Sequence, residues 1–116
     1  MQRLINAFRN SLAALHQLGS SEAAFQQELF MLALSVPVAF YFWSDGWMRL
    51  TLIGAIVFVM IVEVLNTGIE AACNALSRDF NADIKIAKDC GSLAVLMSMG
   101  LAFSVWAVAL WRIMAN

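Results

Sequence analysis

Charge is the scarcest component of this sequence: of 116 residues only 13% are Asp, Glu, Lys or Arg, against 62% hydrophobic. Soluble domains average about 25% charged and 45–50% apolar residues. A soluble fold of this length has too much surface for its volume to bury the long uncharged runs, so the composition points to a membrane protein. An excess of Lys and Arg is also missing, and a net charge of −1 excludes nucleic acid as a partner, because a phosphate backbone needs basic side chains to neutralise it. Cysteine is limited to Cys73 and Cys90, too few for a disulfide framework and not spaced as Cys-x-x-Cys. Both are expected to be reduced and to act as small apolar side chains. The N-terminus lacks an apolar stretch ending in a small-residue cleavage site, so the mature chain is expected to begin at or near Met1. The G-x-x-x-x-G-K-[ST] loop, the G-x-G-x-x-G turn after a strand and the protein-kinase catalytic loop are all absent. His16 is the single histidine and reads as a polar residue of a surface helix rather than a catalyst.

What is present is helical periodicity. Leu4, Ile5, Phe8, Leu12 and Leu15 recur three and four apart among Arg3, Asn6, Arg9 and Asn10. One apolar stripe with cations outside it suits a helix over 2–18 lying in the headgroup plane of a membrane. Gly19, Ser20 and Ser21 predict a break, with Ser21 capping the helix that follows.

A first span is expected over about 23–43, with Gln26, Gln27 and Glu28 in its first turns and Pro37 inside it, where the missing amide hydrogen should bend the helix unless neighbours accommodate it. Tyr41, Trp43 and Trp47 flank the connection through Ser44, Asp45 and Gly46, as aromatics do at a lipid–water boundary. The second span, about 48–72, is uncharged from Leu50 to Val62 and then meets Glu63, Asn66 and Glu70. The third, about 90–111, carries no charge. The polar stretch Asn74–Asp89 between them has room for a short surface helix. Five basic residues (Arg3, Arg9, Arg78, Lys85, Lys88) fall on one side of the membrane and two (Arg49, Arg112) on the other. The positive-inside rule then puts the N-terminus in the cytoplasm and the C-terminus outside it.

Glu63 carries the most chemical information. At 1.5 Å per residue it lies about 10 Å deeper in the span than Glu70. A carboxylate at that depth costs at least about 2.5–3.5 kcal/mol, so it should face a partner or a wet cavity. Asn66 and Glu70, three and seven residues on, share its helix face. One reading is a polar patch that glues helices together; the other is an active site opening to the cytoplasm. Glu22 and Glu28 at the start of the first span, and Lys88 and Asp89 at the start of the third, converge on the same level. Carboxylates with a lysine can hold a hard cation such as Mg²⁺ and a polyphosphate, although each of the four is also an ordinary finish for a spanning helix. From the residues alone, phosphate transfer, proton movement and ion conduction all stay open.

Three segments, Glu22-Ala-Ala-Phe-Gln-Gln-Glu28, Glu63-Val-Leu-Asn-Thr-Gly-Ile-Glu-Ala71 and Ala87-Lys-Asp-Cys-Gly-Ser-Leu-Ala-Val95, resemble the signature segments of the prokaryotic diacylglycerol kinases. The resemblance covers nearly the whole chain, and its central E-x-x-N-[ST]-x-[IL]-E motif is specific. The first segment is similar to the diacylglycerol branch rather than to the related undecaprenol kinases, which remain the alternative acceptor class. The resemblance implies an all-α membrane protein with three transmembrane helices plus an N-terminal amphipathic surface helix. It also implies a homotrimer with composite sites at subunit interfaces, in the bacterial inner membrane, that phosphorylates diacylglycerol to phosphatidic acid with Mg²⁺ and ATP in phospholipid metabolism. Carried onto matching positions, Glu63 is the general base and Glu22 and Glu70 hold Mg²⁺. Arg3, Asn10, Asn66, Lys88 and Asp89, with the two metal-holding glutamates, bind ATP. Arg3, Ser11, Glu28, Glu63, Ser92, Trp106 and Trp111 contact the lipid substrate. Gln26 departs from an Arg usual in the family and Asn74 from an Asp; neither change touches Glu22, Glu63, Glu70, Lys88 or Asp89.

A different class, a small oligomeric proton or ion conductor, would use Glu63 and Glu70 as a relay. It would need polar residues along the outer half of the bundle, and Leu50–Val62 supplies almost none.

Overall fold

The computed structural model describes residues 1–116 as four helices, α1 (Gln2–Ser21), α2 (Ala23–Phe42), α3 (Gly46–Leu76) and α4 (Ala82–Ala115). The long helices begin where a side chain can satisfy the free amides of a first turn. The Asp45 carboxylate accepts from Met48 N at 3.1 Å to start α3, and Asn81 Oδ1 accepts from Asp83 N and Ile84 N at 2.9 and 3.2 Å to start α4. Asp83 in the first turn of α4 and Arg112 in its last complement the helix dipole.

The junction of α1 and α2 differs from the expected break. Gly19, Ser20 and Ser21 remain helical because the two hydroxyls bond back to His16 O and Gln17 O at 2.7 and 2.6 Å. Only Glu22 leaves the helical region, at φ −102° and ψ 110°, and neither it nor Ser21 caps α2 through its side chain. The Gln26 side chain bridges the joint by donating to Gly19 O at 3.1 Å. No separate surface helix forms over Asn74–Asp89: α3 runs on to Leu76, α4 starts at Ala82, and the connection is Ser77–Asn81 alone.

Three helices, α2, α3 and α4, are long and apolar enough to cross a membrane. The 20 residues of α2 make a rod of about 30 Å, which matches the hydrocarbon thickness. With 31 and 34 residues, α3 and α4 overshoot it by about 16–21 Å, and that overhang carries the polar residues on either side of the α3–α4 loop. α2 continues through Pro37, whose ring lies on the exposed face.

α3 is the central helix, packed most extensively by α4 and then by α2. Its buried residues Leu52, Val59, Glu63, Asn66 and Cys73 recur at offsets of three, four and seven, and Gly91, Ser98, Ala102 and Ala109 on α4 at offsets of four and seven. This is a heptad-spaced seam, and the small residues on α4 let the backbones approach where lipid offers no hydrophobic drive. Near the α2–α3 hairpin, Ala39, Leu52 and Ala109 close a dry core. Trp106 donates its indole N–H to Leu52 O at 3.0 Å and meets Trp43 edge-on at 6.0 Å, so Trp43 is half-buried while Tyr41 and Trp47 stay exposed. Arg49 reaches back to the last turn of α2, donating to Trp43 O at 2.8 Å and Phe40 O at 3.3 Å with its guanidinium 4.3 Å from the Phe40 ring centroid. A cation there satisfies free carbonyls and the negative end of the dipole together.

α1 contacts α2 and buries only Leu18. Its stripe of Leu4, Ile5, Phe8, Leu12 and Leu15 is exposed, as a helix lying in a lipid interface requires. Cys73 is buried and Cys90 exposed, both as free thiols.

Candidate functional site

At the end of the bundle remote from the α2–α3 hairpin, the seam changes character. α2 turns Glu28 inward three residues after Phe25, and α3 turns Glu63 and Asn66 inward; all three are buried. Both oxygens of Glu28 and Oδ1 of Asn66 are buried without a hydrogen-bond partner. Asn66 Nδ2 donates to Glu70 Oε1 at 3.3 Å, which ties the buried part of the face to its exposed end. Glu63 stands within electrostatic reach of Glu70 and Glu22, and Glu28 within reach of Glu63.

No cationic side chain pairs with these four carboxylates. The one ion pair in the chain joins Lys85 and Asp89 at 2.6 Å on the exposed side of α4. Like charges gathered in a poorly solvated place repel, and a cation relieves them. The carboxylates offer hard oxygens, the type Mg²⁺ takes, and the unpartnered oxygens of Glu28 and Asn66 leave room for such an ion beside them. Within one chain no three His, Cys, Asp or Glu side chains cluster closely enough to hold a metal by themselves. An ion that shares its coordination with phosphates and water needs only one or two carboxylates.

Glu28 also heads an apolar groove of about 380 Å³ between the three spans, lined among others by Leu34, Ser35, Val59, Ala102 and Trp106. The groove therefore carries one acidic group at its polar end and hydrocarbon along the rest. That suits an amphiphile with a hydroxyl at one end.

Of the residues expected from the sequence, Glu22, Glu28, Glu63, Asn66 and Glu70 come together through α2 and α3. Lys88 lies across the helix pair, with its ammonium 2.8 Å from Asn74 Oδ1, and the neighbouring Asp89 is engaged by Lys85. Trp106 lines the groove while its N–H is committed to α3. Arg3 and Asn10 are exposed on α1, and the Ser11 hydroxyl is satisfied by Ala7 O at 2.8 Å. Ser92 is exposed on α4 and Trp111 is 70% exposed near its end.

Two residues, and the role of a third, escaped the sequence pattern. Ser35 is buried one heptad beyond Glu28 and bonds Leu32 O at 2.8 Å; that spacing was its available signal. Gly91 has Asn66 Oδ1 lying where a Cβ would be, which no local pattern announces. Asn74 is the anchor of Lys88, fourteen residues away in sequence.

The family model for prokaryotic diacylglycerol kinase matches residues 9–110 of this chain. The chain belongs to the prokaryotic diacylglycerol kinase family. It is 37% identical over 109 residues to a diacylglycerol kinase of Escherichia coli strain K12, covering 94% of this chain and 89% of that protein. It is 33% identical over 110 residues to the diacylglycerol kinase of Pseudomonas aeruginosa, covering 95% and 89%, and 26% identical over 106 residues to that of Haemophilus influenzae, covering 91% and 90%. Family membership makes the chain a lipid kinase rather than a conductor.

Proposed function

We propose that the protein transfers the γ-phosphoryl group of ATP to the free hydroxyl of 1,2-diacylglycerol, yielding phosphatidic acid and ADP, at the cytoplasmic end of its spans. The observation that carries this reading is the juxtaposition of two regions: an apolar groove headed by buried, unpartnered Glu28, and beside it the acidic face of Glu63, Asn66 and Glu70. Lipid approaches from one side and nucleotide from the other.

The Glu63 carboxylate accepts the hydroxyl proton as the lipid oxygen bonds to the γ-phosphorus and the bond to the β,γ-bridging oxygen of ATP breaks. No cationic side chain pairs with that carboxylate, which leaves its oxygens free to take the proton. Glu28, at the polar end of the groove, orients the glycerol hydroxyl; Ser11 and Ser92 serve its headgroup, and Trp106 and Trp111 its chains. Asn66, Lys88 and Asp89 align the phosphates, with Arg3 and Asn10 reaching them from α1. Glu22 and Glu70 would hold Mg²⁺, which when bound neutralises charge on the transferring phosphoryl group. Little covalent chemistry is asked of the protein, because phosphoryl transfer depends mainly on positioning and electrostatics.

A homotrimer completes the site in this reading. The α1 residues Arg3, Asn10 and Ser11 stand exposed on the chain that carries them, and a neighbouring copy brings them against the acidic face. The protein sits in the inner membrane with its N-terminus cytoplasmic, because five of its seven basic residues then face the cytoplasm.

Labelled ATP, with purified protein in mixed micelles, tests the reaction. Mg²⁺-dependent label on diacylglycerol is the expected product; label on undecaprenol alone would transfer the acceptor to the polyprenol class, and no labelled lipid would end the kinase reading. Single cysteines in a Cys-free background, probed on intact cells with an impermeant thiol reagent, test the orientation. Position 45 should react and position 78 should not; the reverse would put the acidic face away from ATP.

A further inference from the structure

Lys88 is a half-buried ammonium whose surroundings are unusual for a lysine at a membrane boundary. Its Nζ donates to Asn74 Oδ1 at 2.8 Å across the α3–α4 pair, and no carboxylate lies within ion-pair distance of it. The nearest acid in sequence, Asp89, points the other way and is taken by Lys85 at 2.6 Å. Lysine has three N–H donors and no acceptor, so the Asn74 oxygen must be the atom that faces it. One donor is used, and two donors with the full charge remain.

We propose that Asn74 sets nucleotide affinity by holding Lys88 in place with a neutral acceptor, leaving its charge and two N–H groups to the ATP phosphates. The inference rests on the kinase reading above. An amide oxygen fixes the direction of the ammonium and cancels none of its charge. An aspartate of the same size would fix the direction equally well, but in a half-buried setting it would form an ion pair and compete directly with phosphate for the same cation. Asn74 is thus a positioning residue that acts through Lys88.

A merely structural latch between α3 and α4 predicts the opposite ranking of variants, because Asn74→Asp strengthens the latch. The experiment compares wild type, Asn74→Asp and Asn74→Leu for KM of MgATP, KM of diacylglycerol, kcat and Tm in one detergent. Asn74→Asp should hold or raise Tm, leave KM for diacylglycerol and kcat near wild type, and raise KM for MgATP about 3–10-fold. Added salt should narrow that gap by screening the new carboxylate. Asn74→Leu, which removes the acceptor without adding charge, should lower kcat/KM for MgATP without reproducing this salt dependence. An unchanged or lowered KM for MgATP in Asn74→Asp would overturn the proposal and leave Asn74 as a latch, with the kinase reading intact. A wild type that transfers no phosphate would overturn both.

Discussion

The two ends of the α3–α4 pair are built on one heptad seam and filled in opposite ways. Toward the α2–α3 hairpin, the seam is dry: Ala39, Leu52 and Ala109 meet, the Trp106 N–H has its acceptor, and Arg49 caps α2. Toward the α3–α4 loop the same geometry holds Glu28, Glu63 and Asn66, and both Glu28 oxygens and Asn66 Oδ1 go without partners inside the chain. In a bilayer, where close packing and hydrogen bonding hold helices together, the first arrangement is what stability asks for. The second departs from it at a cost, which the proposed ligand site accounts for. One end holds the helices; the other is where the proposed chemistry lies.

Glu63→Gln is expected to separate the two most sharply. It keeps side-chain size and removes a charge from the membrane interior, so the folded assembly should be as stable or more stable. Turnover should fall about 10²–10⁴-fold, mainly in kcat. Glu22→Gln and Glu70→Gln should instead raise the Mg²⁺ or ATP requirement. Near-full kcat in Glu63→Gln would remove the base assignment, and loss of the assembly would return Glu63 to the role of helix glue.

Gly91→Ala should come next. An added Cβ meets Asn66 Oδ1, so the amide must swing away and give up Glu70. Activity should drop about 10–100-fold, the scale of a small misplacement at a phosphoryl-transfer site. Adding Asn66→Ala should recover thermal stability and not turnover; recovery of both would show that Asn66 has no part in the reaction.

At the dry end the ranking inverts. Arg49→Ala frees the carbonyls of Trp43 and Phe40, and Trp106→Phe leaves Leu52 O without its indole donor. Each should cost about 1–2 kcal/mol in denaturation while KM for MgATP stays put. A change in nucleotide KM for Arg49→Ala would mean the ends are not independent.

Gln26→Arg should have the smallest effect. Gln26 is exposed and donates to Gly19 O, a bond that a guanidinium can also make. A cation beside phosphates or headgroups is worth about 1 kcal/mol, so a modest fall in substrate KM with unchanged folding is expected. Unfolding of the variant would contradict the exposed position.

The three spans, the α1 stripe and the Glu63–Asn66–Glu70 face were legible in the sequence, because periodicity and uncharged run length act locally. What escaped depends on partners. The break after α1 was expected at Gly19–Ser21, yet Ser20 and Ser21 satisfy their hydroxyls on the preceding turn and the helix passes through them. The stretch Asn74–Asp89 left room for a short surface helix, yet α3 runs on to Leu76 and Asn81 starts α4 directly. Nothing local shows that the Trp106 N–H is committed to α3, or marks Gly91 as the one residue type that leaves room for Asn66.

The single non-helical residue between α1 and α2 has a mechanical consequence. Two rigid rods joined through Glu22 share a hinge with two soft dihedrals and no slack, so α1 can turn about that point but cannot slide away from it. The hinge residue is itself one of the carboxylates of the acidic face, and the Gln26 side chain straps across it. A tilt of α1 about that joint is therefore a rotation at the backbone of Glu22, and α1 is a lever arm whose fulcrum belongs to the acidic face.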